Sequence, residues 1–332
     1  MHARGGWMSA AALMLGTFVA GPATAQTRPG GFTNLQVLPD TISRSALIAV
    51  MLDNLRGLGL RQRQSQGCLH CHVGDMERPV EEWDFAADDK PAKGKARVMM
   101  AMVQAINTQH LGSLETRGTP PVRVNCATCH AGRIDPRPLR DVLRQAYTLG
   151  GVDSMTARYR RLYTDYFGSA AYDFRVGVLG GLALDLAADG AWGDAEAVAR
   201  LEIETFPEEP GARRTLVTLT LRQTLSNAGV DSMLTMFARL RSGPDGSVIT
   251  PGVLDAIAWM LFRQDRREAA VSVMGTNRAA FPDQYVPAES LAFAALEDGD
   301  EQAAIRMFED WLARHPGHDH ARWQLINLRT GR

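Results

Sequence analysis

Hydrophobic residues recur at helical spacing in two different settings along this chain. In the first, short apolar runs stand between polar loops. Ser43 is placed to cap a helix through Ala46, Leu47, Ile48, Val50, Met51, Leu52 and Leu55, which Gly57 and Gly59 end. A second helix is predicted after Pro91, running from Ala96 through Met99, Met100, Met102, Val103 and Ile106. In the second setting, from Ser154 to the end, an Ala/Leu-rich pattern of helical period takes over. The pattern predicts an all-α protein: a segment 1–25 to be removed, a first domain 26–150 and a helical repeat domain 151–332. The joints are Asp135-Pro136-Arg137-Pro138 and Gly150-Gly151.

The repeat is legible in the spacing of turn residues. Gly190 to Pro207, Asp265 to Pro282 and Gly299 to Pro316 span equal lengths, and alanine stands at the same place in each, at Ala195, Ala270 and Ala304. Pro282 and Pro316 lie one tetratricopeptide period apart, about 34 residues. A degenerate copy starts at Gly229. Residues 154–328 are therefore expected to form about four helix-turn-helix units stacked as a short solenoid, whose concave face suits a protein or peptide partner.

All four cysteines fall in two CxxCH motifs, Cys68-Leu69-His70-Cys71-His72 and Cys126-Ala127-Thr128-Cys129-His130. That spacing puts two thiols on one helical turn, where they form thioethers to a haem, with the following histidine as the iron ligand. Two covalently attached c-type haems are expected, on Cys68, Cys71 and His72 and on Cys126, Cys129 and His130. Zinc fits poorly, because the pairs lie far apart in sequence, and a thioredoxin-type dithiol would occur once near a βαβ pattern. Methionines in both upstream helices are candidate sixth ligands, although a single Met is also a flexible core filler. Export is a condition of covalent haem attachment, and the N-terminus meets it. His2 and Arg4 precede an apolar run from Trp7 to Ala20, with Ala23-Thr24-Ala25 as a cleavage site. The mature protein is expected to be soluble and periplasmic.

The stretch Asn34 to Pro39, Ile42-Ser43-Arg44, Leu47-Ile48, Met51 and Cys68 to Gly74 resembles the cytochrome c subunit of photosynthetic reaction centres. So do Asp84-Phe85-Ala86, Asp88 to Pro91, Ala96-Arg97, Met99-Met100, Met102-Val103, Ile106-Asn107 and Val124 to Gly132. The resemblance covers residues 32–138 and implies, for each haem, a helix bearing a distal methionine, a loop and a CxxCH helix. It implies Met51 and Met99 as iron ligands, with Met102, one turn on, as the fallback for Met99; His110, where that family usually has an aromatic, reads as packing, with a bis-His haem as the alternative. Three departures limit it: two haem motifs where those subunits carry four, an inserted Arg61-Gln62-Arg63-Gln64, and no cysteine left for a lipid. The remaining histidines, His70 and the group His315, His318 and His320, read as packing or solvated positions.

Composition changes this picture little. With 45% apolar and 22% charged residues, 332 residues support more than one core, and a net charge of −1 speaks against a nucleic-acid partner. The lysines are confined to Lys90, Lys93 and Lys95, read as a solvated turn or a docking patch for an acidic redox partner. The expected function is one-electron transfer between redox partner proteins, a membrane reaction centre or a respiratory complex, without substrate turnover. The alternatives are a peroxidase-like haem oxidoreductase with one open iron position and a repeat-dominated assembly or sensing scaffold.

Overall fold

The computed structural model of the chain describes residues 32–60 and 67–330. The expected signal segment and the Arg61 to Gln64 insertion lie outside them. The described residues are helical, with a single antiparallel bridge, Val73 to Asp84, and no strand. Two compact units divide between Pro136 and Arg137.

The first unit holds α1 (Arg44–Gly57), α2 (Pro91–Ala105) and the short α3 (Cys126–His130). Ser43 caps α1 as expected: its side chain accepts from the Ala46 N–H at 3.2 Å. Pro91 occupies the first turn of α2, where its missing N–H costs nothing. A π-type turn, Ile106–His110, carries α2 on toward the second cysteine motif.

The second unit holds α4 (Leu139–Tyr166), α5 (Val178–Ala188), α6 (Trp192–Thr205), α7 (Pro210–Ser242), α8 (Pro251–Arg263), α9 (Arg267–Ala280), α10 (Tyr285–Glu297), α11 (Glu301–Arg314) and α12 (Asp319–Thr330). The boundary differs from the one expected at residue 150. Residues 139–149 open α4, and Leu139, Val142 and Leu143 are buried in the core of the second unit. Gly150-Gly151 is a break between two helical segments of that unit, with Gly151 at φ 69°, and not a linker between domains.

The repeat units are visible in backbone detail. At Gly190, Asp265 and Gly299 the chain turns through φ 84°, 59° and 80°. In each turn this residue's N–H bonds three residues back, and the next N–H bonds five residues back: Ala191 to Leu186 at 2.9 Å, Arg266 to Leu261 at 3.0 Å, Asp300 to Ala295 at 2.8 Å. These are Schellman closures, which satisfy the last carbonyls of α5, α8 and α10 and reverse the chain into α6, α9 and α11. Ala195, Ala270 and Ala304 are fully buried at the same place in each following helix, where only a small side chain lets paired helices approach. At Gly229 the fourth copy departs: φ 82°, ψ −177° breaks α7. Three apolar clusters run along the array, built around Leu182 and Leu186, around Leu254 and Ile257, and around Phe308 and Trp311.

One turn has a residue at odds with its backbone. Asp265 takes the left-handed conformation that glycine occupies in the sister turns, at a cost of about 1 kcal/mol. Asp265→Gly is expected to raise stability by about 0.5 kcal/mol, the relief being partly offset by loss of the exposed Asp265–Arg267 pair. Urea denaturation of the two full-length proteins checks this.

A buried carboxylate organises the first hairpin. α5 has no capping side chain of its own, and Glu202 of α6, fully buried, accepts from the N–H groups of Gly177 at 2.7 Å and Gly180 at 3.1 Å. The negative charge thus sits on the positive end of α5.

Candidate functional site

The first CxxCH forms one helical turn. The His72 N–H bonds the Cys68 carbonyl at 2.9 Å and the Cys71 N–H bonds it at 3.2 Å. The loop that follows folds around Trp83, whose indole N–H donates to the Asp75 carbonyl at 2.8 Å and whose ring leaves no room for a Cβ at Gly74. Asp84 Oδ1 then accepts from Ala86 N at 2.9 Å and Ala87 N at 2.8 Å, tightening the bend. The result aims the Phe85 carbonyl at His72 Nδ1, 3.1 Å away, with the Phe85 ring edge-on to the imidazole. A carbonyl only accepts, so Nδ1 carries the proton and Nε2 keeps its lone pair.

Lys93, from the first turns of α2, fixes this loop from beneath. It is 9% exposed, and its ammonium donates to the carbonyls of Phe85, Ala86 and Ala87 at 3.0, 2.8 and 2.7 Å. Asp88 lies 3.1 Å from Lys93 and 2.9 Å from Arg97. Arg97, Asn34 and Lys93 hold the Asp88 carboxyl well below the usual carboxylate range. Lys90 bonds the Leu69 carbonyl inside the first motif. Two of the three lysines therefore bind loop carbonyls, and the reading of this segment as a solvated turn does not hold. Burial, the dominant cause, together with Lys93, Lys90 and Arg97 nearby, pushes the His72 pKa down; the Phe85 hydrogen bond opposes this. The shift favours the neutral imidazole.

The second CxxCH is α3 itself. Asn125 and Thr128 form a reciprocal capping box at its start, and Ala131, at φ 48°, closes it. His130 Nδ1 meets the Arg133 carbonyl at 2.9 Å, so here too Nε2 is the free nitrogen. Asn107, just beyond α2, pairs with both backbone groups of Val124, at 2.8 and 2.9 Å, and so positions the chain entering α3. Asn54 of α1 accepts from Cys126 Sγ at 3.2 Å and donates to Met100 Sδ at 3.6 Å, tying all three helices together.

Cys68, Cys71 and His72 share one turn, and Cys126, Cys129 and His130 share the other. None of the four cysteines is in a disulfide, and burial raises the pKa of Cys68, Cys71 and Cys126. Two cysteine pairs in separate turns do not supply the four converging ligands of a zinc site. Among the described residues no three His, Cys, Asp or Glu side chains converge as a metal site. Met51 is half-buried on α1, between exposed Ile48 and Leu52; Met99 and Met102 lie exposed on α2 beside Val98. His110 is exposed in the π-type turn, and His70 is half-buried within the first motif.

The unit's packing tests whether haem fits these residues. Trp83 is the one buried hydrophobic side chain among its described residues, whereas the apolar faces of α1 and α2 and the flanking Val122 and Ile134 are exposed. A large apolar disc bonded to the two turns would lie against such faces, and each imidazole presents a free Nε2. The residues fit. Sequence reasoning did not single out Lys93, Phe85, Asn54 or Asn107 for a role. The signal was there in Asp84 to Ala86, Asp88 to Pro91 and Ile106-Asn107, which are among the stretches that carry the resemblance.

The sequence profile of the photosynthetic reaction centre cytochrome C subunit family matches residues 23–146. A cytochrome carries electrons, and a c-type haem and redox partners are what that family implies. No curated protein matches the chain. Among solved structures, PilF of Pseudomonas aeruginosa is 18% identical over 45% of this chain, which spans 65% of that protein, with a TM-score of 0.27. A thermophilic TPR protein of Thermus thermophilus is 15% identical over 58% of this chain and 97% of its own, with a TM-score of 0.28. MamA of AMB-1 is 16% identical over 54% of this chain and 91% of its own, with a TM-score of 0.25.

Proposed function

We propose that this chain is an exported dihaem c-type cytochrome that carries single electrons between redox partner proteins, with its helical repeats docking a partner. The observation that carries the reading is the same in both CxxCH turns: the histidine Nδ1 is committed to a backbone carbonyl, and Nε2 is left to bind iron. The cytochrome family matched by residues 23–146 supports it. Haem, when bound, supplies reversible one-electron chemistry. The chain's own residues anchor it through Cys68, Cys71, Cys126 and Cys129, orient it through His72 and His130, and exclude water with the apolar faces of α1 and α2. Met51 and Met99 are proposed as the opposite ligands, thioether sulfur favouring the reduced state. Among the described residues no helix is long and apolar enough to cross a membrane. A reaction centre or respiratory complex is the proposed class of partner.

Absorption spectra of the purified protein in both redox states test this directly. A thioether-to-iron charge-transfer band with the intensity of two bonds is expected; rapid binding of cyanide by high-spin iron would instead indicate an open iron position and a haem oxidoreductase. Met51→Ala is expected to lower one midpoint potential by roughly 0.1 V, a fraction of the ~0.8 V that axial ligands span, and to open that haem to carbon monoxide. Redox titration and carbon monoxide difference spectra check the two effects; if neither moves, Met51 is not the ligand.

A further inference from the structure

The Phe85 carbonyl receives two donors. His72 Nδ1 lies 3.1 Å from it and Lys93 Nζ 3.0 Å. Lys93 is nine-tenths buried, so its charge acts through little water. A charged donor draws electron density from the shared oxygen and leaves it a poorer acceptor for the imidazole N–H. The imidazole then keeps less imidazolate character and gives less electron density to a metal on Nε2. The cation itself also opposes additional positive charge nearby, which favours ferrous over ferric iron. Both effects have the same sign. His130 meets the Arg133 carbonyl within its own turn at the shorter distance of 2.9 Å.

We propose that Lys93 is a positioning residue which, through the Phe85 carbonyl, raises the reduction potential of the haem on Cys68, Cys71 and His72. Asp88, which is exposed and pairs with both Lys93 and Arg97, works against Lys93. The inference rests on the dihaem reading above.

The test is a spectroelectrochemical titration of the full-length holoprotein, its Lys93→Met variant and its Asp88→Asn variant. Two one-electron steps are expected. Lys93→Met should lower one step and Asp88→Asn should raise that same step, with the other unmoved in both. Opposite signs separate tuning from mere loosening of the 85–88 loop, which would move the step the same way in both variants. Equal signs, two unmoved steps or shifts in both steps overturn the proposal while leaving the dihaem reading intact. Should Lys93→Met fail to fold, Asp88→Asn, which keeps an accepting oxygen, decides alone: an upward shift supports the proposal and none overturns it. A wild-type protein that takes up fewer than two electrons refutes the dihaem reading, and the inference with it.

Discussion

Cys126→Ala combined with Cys129→Ala is expected to leave a mature chain with one covalent haem, and to abolish cooperative unfolding of residues 32–136 while the helices of residues 137–330 persist. The reason lies in how differently the two units are held. In the repeat unit, Leu143, Met155, Leu182, Leu254, Ile257 and Phe308 are essentially inaccessible, and adjacent hairpins bury them in three clusters. In the first unit Trp83 alone among the described hydrophobic side chains is buried. Withdrawing one large apolar side chain from water contributes about 1.5–3 kcal/mol. Covering what is still exposed of Val98, Met99 and Met102 on α2, which are 38–63% exposed, is worth about half of that for each, roughly 2–4 kcal/mol together, a large part of a small domain's stability. A thioether-anchored haem supplies that cover permanently, whereas a haem held only by His130 dissociates with unfolding. Mass spectrometry counts the porphyrins, and thermal melting followed by far-ultraviolet circular dichroism separates the units. A double variant that keeps two covalent haems, or one that loses a haem yet melts as the parent does, would contradict this account.

Much of this architecture was legible from residue spacing alone. Gly190, Asp265 and Gly299 marked the repeat turns because a left-handed turn limits which residues stand there, and the following alanines marked where helices touch. Ser43, Pro91 and the two CxxCH turns were legible for the same local reason. What escaped was non-local. Glu202 sits in a helix rich in charged residues and reads as solvated, yet it is fully buried because α5 brings unpaired N–H groups to it. Lys93 reads as surface for the same reason, until the loop around Trp83 delivers three carbonyls to its ammonium. Gly150-Gly151 read as a linker because glycine pairs punctuate both domain boundaries and inter-helix turns; only the burial of Leu139, Val142 and Leu143 distinguishes them.

Gly57 and Gly59, legible in the sequence only as the end of a helix, carry a second burden that predicts a large effect. A Cβ on Gly57 would stand 2.7 Å from Cys126 Cβ and 2.9 Å from the Ala127 nitrogen; one on Gly59 would stand 1.9 Å from the Gly132 carbonyl oxygen. The obstacles are backbone or the root of a side chain, so neither rotates away. Gly59 is also at φ 70°, and the Gly132 N–H bonds the Gly57 carbonyl at 2.9 Å. Gly59→Ala must therefore bear about 1 kcal/mol of left-handed strain, about 1 kcal/mol for that hydrogen bond, and the separation of α1 from α3. A total loss of about 3 kcal/mol or more is expected. Because α3 carries Cys126, Cys129 and His130, the separation should also shift the midpoint potential of the second haem. Gly94→Ala is the matched control: nothing lies within 4 Å of its Cβ, it sits inside α2, and it should gain about 1 kcal/mol from helix propensity. Opposite signs for the two glycines, read by denaturant melts of the holoprotein, would establish that the crossing of α1 and α3 holds the second motif in place; a Gly59→Ala protein as stable as its parent would show that it does not.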